Sequence, residues 1–296
     1  MRASVCALVT VLATVIASTP NSLTAQARSG VIKVPDATIA YEVQGSGTPL
    51  VFVHGYAQNM TIWDDQLAVF APRYQVVRYD VRGFGRSTGN IDQTTAAADL
   101  AMLLDSLGIR RAAIVGLSMG SQIALNFAVN YPDRVNALVL YGAPPTNDYA
   151  VPGSPQLFAL FSSLPNIMKA HGLDSVRKAI FASELAWNPP NRPDIQRKML
   201  KAWEGYTGSD LANPRPPSGR VPPTRLAQVN DVRVPTLVIH GDHEVEWFRQ
   251  FNDTLMARLP NARRVVIENA GHGAHFAEPG KFNRAVVAFL ESAGIR

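Results

Sequence analysis

Cysteine is almost absent from this chain. The 296 residues contain one cysteine, Cys6, which lies in an apolar run close to the N-terminus. A single cysteine excludes a disulfide framework within the chain. If the N-terminal run is removed, the remaining protein has no thiol at all, and thiolate chemistry is excluded as well.

Charged side chains are also few. Asp, Glu, Lys and Arg make up 17% of the residues, and the formal net charge is +5. Basic residues cluster only in short pairs, such as Arg110-Arg111 and Arg263-Arg264. A nucleic-acid-binding protein would carry a basic stripe with interleaved aromatic residues, so we expect no nucleic-acid partner.

The motifs of nucleotide and metal sites are missing. There is no Gly-x-x-x-x-Gly-Lys-Ser/Thr phosphate loop, no Gly-x-Gly-x-x-Gly after a predicted strand and no His-Glu-x-x-His. His240, His243 and Glu244 lie close together in the sequence, but their spacing fits no defined metal site. The sequence therefore predicts neither a cofactor nor a metal ion.

The N-terminus has the features of a secretory signal peptide. Arg2 precedes an apolar run over residues 5–17, and Ala25-Gln26-Ala27 places small residues where a signal peptidase cuts. The run is shorter than the ~20 residues that span a bilayer. We therefore expect residues 1–27 to be removed before Arg28, which leaves a secreted or periplasmic protein without a membrane span.

Strand-like and helix-like apolar periods alternate along the rest of the chain. This alternation predicts an α/β fold with a mostly parallel central sheet and helices on both faces. Residues 28–296 would form one such domain. The predicted strands cover residues 31–34, 38–43, 50–53, 76–79, 112–115, 137–141, 236–239 and 264–267, and the main helices cover 96–107, 118–130, 251–259 and 282–290.

Residues 144–229 interrupt the alternation. This stretch is rich in proline but also carries helical patches and many aromatic residues, which argue against a solvated linker. We therefore interpret it as an inserted helical lid. It begins and ends beside predicted strands, which favours a position over the carboxyl ends of the sheet, where open α/β sheets bind ligands.

A Gly-x-Ser-x-Gly pentapeptide, Gly116-Leu117-Ser118-Met119-Gly120, joins a predicted buried strand to a predicted helix. In this context the sharp turn presents the central hydroxyl at the top of the sheet. The glycines remove side chains that would clash in the turn, and the helix N-terminus favours developing negative charge. Ser118 is thus a candidate nucleophile.

A serine hydroxyl needs a base to take its proton, and the base needs an acidic partner. His272 follows the last predicted strand and would reach the same edge of the sheet as Ser118. The loop after strand 236–239 offers two carboxylates, Asp242 and Glu244, as the partner. The resulting chain order of Ser, acid and His is that of the α/β-hydrolases.

Two backbone N–H groups are expected to form an oxyanion hole. One belongs to Met119, which directly follows the candidate nucleophile. The other lies in the loop after His54-Gly55, most simply at Tyr56. Because the donors are backbone groups, their geometry matters more than the side chains that they carry.

Together these motifs resemble the α/β-hydrolase fold superfamily, in its esterase, lactonase and cofactor-free perhydrolase branch. The resemblance covers the chain from about residue 31 onward. Relatives usually carry aspartate at the position that Glu244 matches, and the carboxylate there is the acidic partner of the histidine. The resemblance therefore implies that Glu244 is the acid in this chain, with Asp242 as the fallback. The motifs that carry it are His54-Gly55 with Trp63, the loop 80–87, the pentapeptide around Ser118, residues 235–244 and Gly271-His272.

The resemblance implies a serine hydrolase that cleaves a small-molecule ester or lactone through an acyl-enzyme on Ser118. Two alternatives stay open. Peroxide could replace water, which would make the protein a cofactor-free perhydrolase or haloperoxidase. The same pocket could also serve a non-catalytic ligand-binding protein. The apolar, aromatic lid favours a hydrophobic substrate group of modest size.

Overall fold

The computed structural model describes residues 27–146, 148, 155–190, 192–212 and 223–296. The predicted signal peptide lies outside these ranges apart from its last residue, Ala27, and so do parts of the predicted lid. Within the ranges described, no helix combines the length and apolar character needed to cross a bilayer.

In the described residues the strands are β1 Arg28–Val34, β2 Ala37–Gln44, β3 Thr48–Val53, β4 Tyr74–Tyr79, β5 Ala112–Leu117, β6 Val135–Tyr141, β7 Thr236–Gly241 and β8 Ala262–Ile267. They form one sheet in the order β1-β2-β4-β3-β5-β6-β7-β8. The pairs from β4 through β3 to β8 are parallel, whereas β1 and β2 join one edge in antiparallel pairing. The predicted α/β fold with a mostly parallel sheet is confirmed.

Helices cover both faces of the sheet, as predicted. The helices are α1 Asp64–Phe70, α2 Gln93–Ser106, α3 Met119–Asn130, α4 Pro155–His171, α5 Leu173–Phe181, α6 Pro193–Ala202, α7 Ser209–Ala212, α8 Glu246–Arg258, α9 Ala274–Ala277 and α10 Pro279–Ser292. Side chains of α2, α3 and α8 pack in one core cluster, and those of α1 and α10 pack in a second cluster on the opposite face.

The central strands are buried on both faces. All six residues of β5 are buried, and they alternate between the two clusters: Ile114 belongs to the first cluster, Ala113 and Val115 to the second. A fully buried aliphatic side chain stabilises the fold by about 1.5–3 kcal/mol relative to exposure. The turn at Ser118 therefore directly follows a strand that is buried along its whole length.

In the part of this stretch that the structure describes, four α-helices, α4 to α7, lie between β6 and β7; we call residues 144–229 the inserted segment. Helix α4 was not predicted, and its interior contains Pro165, a residue that normally disfavours a helix interior. Helix α1 was also missed, because its seven residues give little periodicity to detect. The described part of the inserted segment supplies much of the wall of the candidate site.

Candidate active site

Ser118 occupies a strained turn between β5 and α3. Its backbone has φ 52° and ψ −117°, outside the ordinary regions for a residue with a side chain. A Cβ at Gly116 would lie 2.3 Å from the Gly120 carbonyl oxygen, and one at Gly120 would lie 2.3 Å from that of Val53. Only glycine fits at these two positions, as the pentapeptide predicts.

Hydrogen bonds to β6 hold this turn in place. The Ser118 N–H donates to the Tyr141 carbonyl over 2.8 Å. The buried Ser121 hydroxyl donates to the Gly116 carbonyl over 2.6 Å and accepts the Tyr141 N–H over 2.9 Å. Ser121 was missed in the sequence, although a serine three residues after the candidate nucleophile was a visible signal. A strained conformation of this kind persists only where its surroundings over-determine it.

The structure brings His272 and Glu244 together. The His272 Nδ1 lies 2.9 Å from Glu244 Oε1 and 3.0 Å from Oε2. The Glu244 side chain is fully buried, whereas 13% of the His272 side chain remains exposed. The Val245 N–H also donates to Glu244 Oε1 over 3.0 Å. A buried, hydrogen-bonded carboxylate fixes the ring tautomer, so that Nε2 is left free as a base.

Asp242 takes a different position. Its side chain is exposed and accepts the Ala270 N–H over 3.0 Å. Burial acts to raise the pKa of Asp242, but backbone hydrogen bonds from Ala270 and Asn269 outweigh it and lower the pKa. Asp242 thus braces the loop that leads to His272, and it is Glu244 that contacts the ring.

Two residues at the end of β6 shape the space around this pair, and the sequence reasoning missed both. Gly142 has φ +55°, and a Cβ there would lie 2.6 Å from His272 Cε1 and 3.2 Å from Glu244 Oε2. The Tyr141 hydroxyl donates to the His272 carbonyl and accepts the Ala274 N–H. The available signal was a glycine directly after a predicted central strand.

The loop after β3 and the N-terminus of α3 are adjacent to Ser118. Gly55 and Tyr56 line the same cavity as Ser118, and Met119 is the first residue of α3, so its N–H has no partner within the helix. The Gln58 side chain accepts the Gly55 N–H over 3.0 Å. The two predicted donors therefore belong to the two segments that flank the serine.

Ser118 and His272 line one small cavity of about 90 Å³. Among the described residues, no hydrogen bond joins the serine hydroxyl to the ring. The Phe248 ring lies 4.4 Å from the His272 ring, centroid to centroid. The inserted segment closes the cavity with Phe161, Ile180, Phe181, Leu185, Ala186, Met199 and Trp203.

A larger cleft of about 380 Å³ adjoins this cavity. The two spaces share Phe181, Ala186 and Met199 as lining residues. The cleft also has polar lining from Asn188, Gln196 and Arg192, whose guanidinium is paired with Asp194. The small cavity is thus lined mainly by apolar side chains, and the adjoining cleft carries more polar ones.

Hydrogen bonds connect two further motifs of the sequence, His54-Gly55 and the loop 80–87. The His54 ring accepts the Val81 N–H at Nε2, and both Asp80 carboxylate oxygens accept backbone N–H groups, from Met60 and Arg86. These bonds tie the end of β3 to the loop 80–87. Within the described ranges, no group of three or more His, Cys, Asp or Glu side chains is arranged to hold a metal ion.

Known proteins share this fold and part of this sequence. A family model described as alpha/beta hydrolase fold matches residues 48–279. A non-heme haloperoxidase from Rhodococcus erythropolis is 30% identical over 273 residues, which cover 86% of this chain and 96% of that protein. A 2-hydroxy-6-oxononadienedioate/2-hydroxy-6-oxononatrienedioate hydrolase from Burkholderia vietnamiensis is 31% identical, covering 85% of this chain and 90% of that protein.

A solved carboxylesterase structure from Nitrososphaera gargenis superposes with a TM-score of 0.77 at 17% identity, covering 90% of this chain and 99% of that one. At this identity the likeness concerns the fold alone. The family model, the two sequence relatives and the strained serine turn above a mostly parallel sheet agree with one another: this chain belongs to the α/β-hydrolase fold family.

Proposed function

We propose that this protein hydrolyses a small carboxylic ester or lactone through an acyl-enzyme on Ser118. The observation that carries the proposal is the His272 ring, held at Nδ1 by the buried Glu244 carboxylate in the cavity that Ser118 also lines. A ring oriented in this way has its second nitrogen available to take the serine proton.

Each residue then has one role in the reaction. The Ser118 oxygen attacks the substrate carbonyl while its proton passes to His272 Nε2, and Glu244 stabilises the imidazolium that forms. The backbone N–H groups of Met119 and Tyr56 donate hydrogen bonds to the former carbonyl oxygen and stabilise the negative charge that develops on it. His272 returns the proton to the leaving alcohol oxygen. Water, deprotonated by the same ring, releases the acid and regenerates the serine.

The substrate's acyl part is small and apolar. A cavity of about 90 Å³ with aliphatic and aromatic walls has room for a short acyl chain or a compact ring. The adjoining cleft of about 380 Å³ has amide and guanidinium side chains in its wall and suits a larger, more polar alcohol part. A lactone carries both parts in one ring.

Perhydrolysis is a second candidate, and the similarity to a non-heme haloperoxidase favours it. In that reaction hydrogen peroxide attacks the acyl-enzyme in place of water and gives a peracid. The first half of the reaction is the same for both candidates. A peracid assay with and without peroxide, on an acyl-enzyme formed from an acetate ester, separates them.

The decisive experiment is labelling with a fluorophosphonate probe. We expect stoichiometric labelling of the wild-type protein at Ser118, and none for Ser118→Ala. Turnover of p-nitrophenyl esters with two- to eight-carbon acyl chains, together with a lactone panel, then ranks the substrates. A wild-type protein that is neither labelled nor active on either panel would instead support the non-catalytic ligand-binding alternative.

We also propose that the protein is exported and that mature chains begin at Arg28. The support is the arrangement of Arg2, the apolar run 5–17 and the small residues before the cut. Intact mass of protein recovered from the periplasm or medium of the native host measures the new N-terminus. Cytoplasmic protein that retains residues 1–27 would contradict export.

A further inference from the structure

Two tyrosines and one carboxylate connect the loop after β3, which carries Tyr56, to the inserted segment. The Tyr56 hydroxyl lies 2.5 Å from Asp210 Oδ2, and the Tyr206 hydroxyl lies 2.9 Å from Asp210 Oδ1. The two hydroxyl oxygens are themselves 2.6 Å apart. Tyr56 follows β3, whereas Tyr206 and Asp210 lie about 150 residues further along the chain. We call these three residues the tyrosine bridge.

Proton counting shows that the Asp210 carboxylate accepts at least one hydrogen bond of the bridge. The two phenols bring two protons for three short contacts, so at least one hydroxyl must donate to Asp210. Burial raises the pKa of both Tyr56 and Tyr206 well above the ordinary value, so both remain donors near neutral pH. Hydrogen bonds to a charged acceptor are roughly twice as strong as bonds between neutral groups.

The loop that the bridge holds is strained. Ala57, next to Tyr56, has φ +59°, which is unfavourable for a residue with a Cβ. Inside the loop itself, the Gln58 side chain holds the Gly55 N–H. A strained loop of this kind keeps its conformation through supports from outside it, and the bridge is such a support.

A second set of contacts reinforces the same connection. The Asn59 amide donates to the carbonyls of Glu204 over 2.9 Å and Lys201 over 3.3 Å, at the end of α6. The Gly205 backbone packs so closely on Gly85 that a Cβ would lie 2.9 Å from the Gly85 carbonyl oxygen. Residues 201–210 of the inserted segment are thus fastened to the loop after β3, through Tyr56 and Asn59, and also to the loop 80–87, through Gly85.

We infer that Tyr206 and Asp210 are positioning residues for the oxyanion hole, acting through the Tyr56 side chain on the N–H of the same residue. The inserted segment then does more than enclose the substrate, because it also sets the geometry in which the oxyanion is stabilised. This inference rests on the proposed acyl-enzyme chemistry for its effect on rate.

The test compares variants that break or preserve the bridge. Asp210→Ala removes the acceptor, and Tyr206→Phe removes one hydroxyl while keeping the ring. Asp210→Asn keeps one acceptor and adds a donor for the second phenol oxygen, so it should restore most of the activity. Asp174→Ala is the matched control, because this carboxylate lies in the same segment but is 82% exposed and pairs with Arg177 at the surface.

We expect Asp210→Ala and Tyr206→Phe to lower kcat by about tenfold or more while KM changes little, since a whole oxyanion donor is worth about 10²–10³ in rate. The rate of fluorophosphonate labelling should fall in parallel. Asp174→Ala should match the wild type. An unchanged kcat in both bridge variants, or Asp210→Asn as slow as Asp210→Ala, overturns the inference.

Hydrogen exchange separates this inference from the proposed function. In Asp210→Ala the amides of residues 55–58 should exchange faster than in the wild type, whether or not any substrate is turned over. Unchanged exchange of these amides contradicts the positioning role of the bridge even if the enzyme is active. A wild type that resists labelling and is inactive on every substrate overturns the proposed function. In that case the exchange rates of residues 55–58 still test whether Asp210 holds the loop after β3 in position.

Discussion

At the scale of single residues, Gly142 leaves the space that the His272 ring occupies. Its positive φ and its close approach to the ring both require glycine. The two requirements can be separated experimentally, because Gly108 has a similar φ of +67° but nothing within 4 Å of the place where a Cβ would stand. The strain of a left-handed residue, about 1–2 kcal/mol, is therefore common to both positions.

We predict that Gly142→Ala lowers kcat by about 10²-fold, because a displaced catalytic group costs rate of that order. Gly108→Ala should leave kcat unchanged while lowering the unfolding free energy by the shared strain. Steady-state kinetics and urea unfolding of both variants measure this. Equal kcat for the two alanine variants would show that the space left by Gly142 beside the His272 ring does not affect the rate.

The choice between two neighbouring carboxylates is also a question about single residues. Glu244→Gln should lower kcat by about 10³–10⁴-fold, since the amide no longer stabilises the imidazolium or the required tautomer. Asp242→Asn should cost only a few-fold, because its remaining oxygen still accepts the Ala270 N–H. Inactivation by Asp242→Asn alone would transfer the acid role to that residue.

At the scale of elements, α5 separates two spaces. Its last residue, Phe181, lines both the small cavity and the adjoining cleft. The cavity wall on this side is built from side chains of the inserted segment, whereas Ser118 and His272 follow strands β5 and β8 of the sheet. Changes in α5 should thus alter which substrates are accepted without altering the chemistry.

We predict that Phe181→Ala joins the two spaces and raises the octanoate-to-acetate ratio of kcat/KM by about tenfold, because added methylenes then find apolar surface. Phe158→Ala is the matched control, since Phe158 is 53% exposed on α4 and packs on Trp247. Its ratio should equal that of the wild type. A ratio that stays constant in Phe181→Ala would place the acyl chain elsewhere.

At the scale of the whole molecule, a buried histidine ties stability to pH. The His275 ring is fully buried among Trp63, Tyr141 and Phe282, and neither ring nitrogen has a hydrogen-bond partner within the described residues. Burial, with smaller contributions from His272 and Lys198, lowers the pKa of His275 to about 3. The unfolded chain therefore binds a proton below pH 6.5 that the folded protein does not bind.

The consequence is a loss of stability as the pH falls from about 6.5 toward 3, with full stability above that window. One such group contributes a slope of about 1.4 kcal/mol per pH unit. We predict that His275→Gln loses less unfolding free energy between pH 7 and pH 5 than the wild type, measured by urea unfolding at each pH. The exposed His171→Gln is the control, and equal pH dependence in all three proteins would contradict this account.

The sequence by itself determined the alternation of strands and helices and the strained serine turn. These features depend on apolar periods and turn chemistry within a few residues, which are visible in the order of the amino acids. The central strands and the glycines beside Ser118 follow from such local rules. Such rules did not predict helix α4, because proline disfavours a helix interior and Pro165 lies inside this helix.

Only the tertiary structure decided which side chains meet. Asp242 and Glu244 are two residues apart in the same loop, yet one braces the backbone and the other contacts a ring 28 residues away. Tyr56 and Asp210 are joined across 154 positions. The physical reason is that contacts between distant residues depend on how the sheet, the loops and the inserted segment pack together, and no local period in the chain encodes that arrangement.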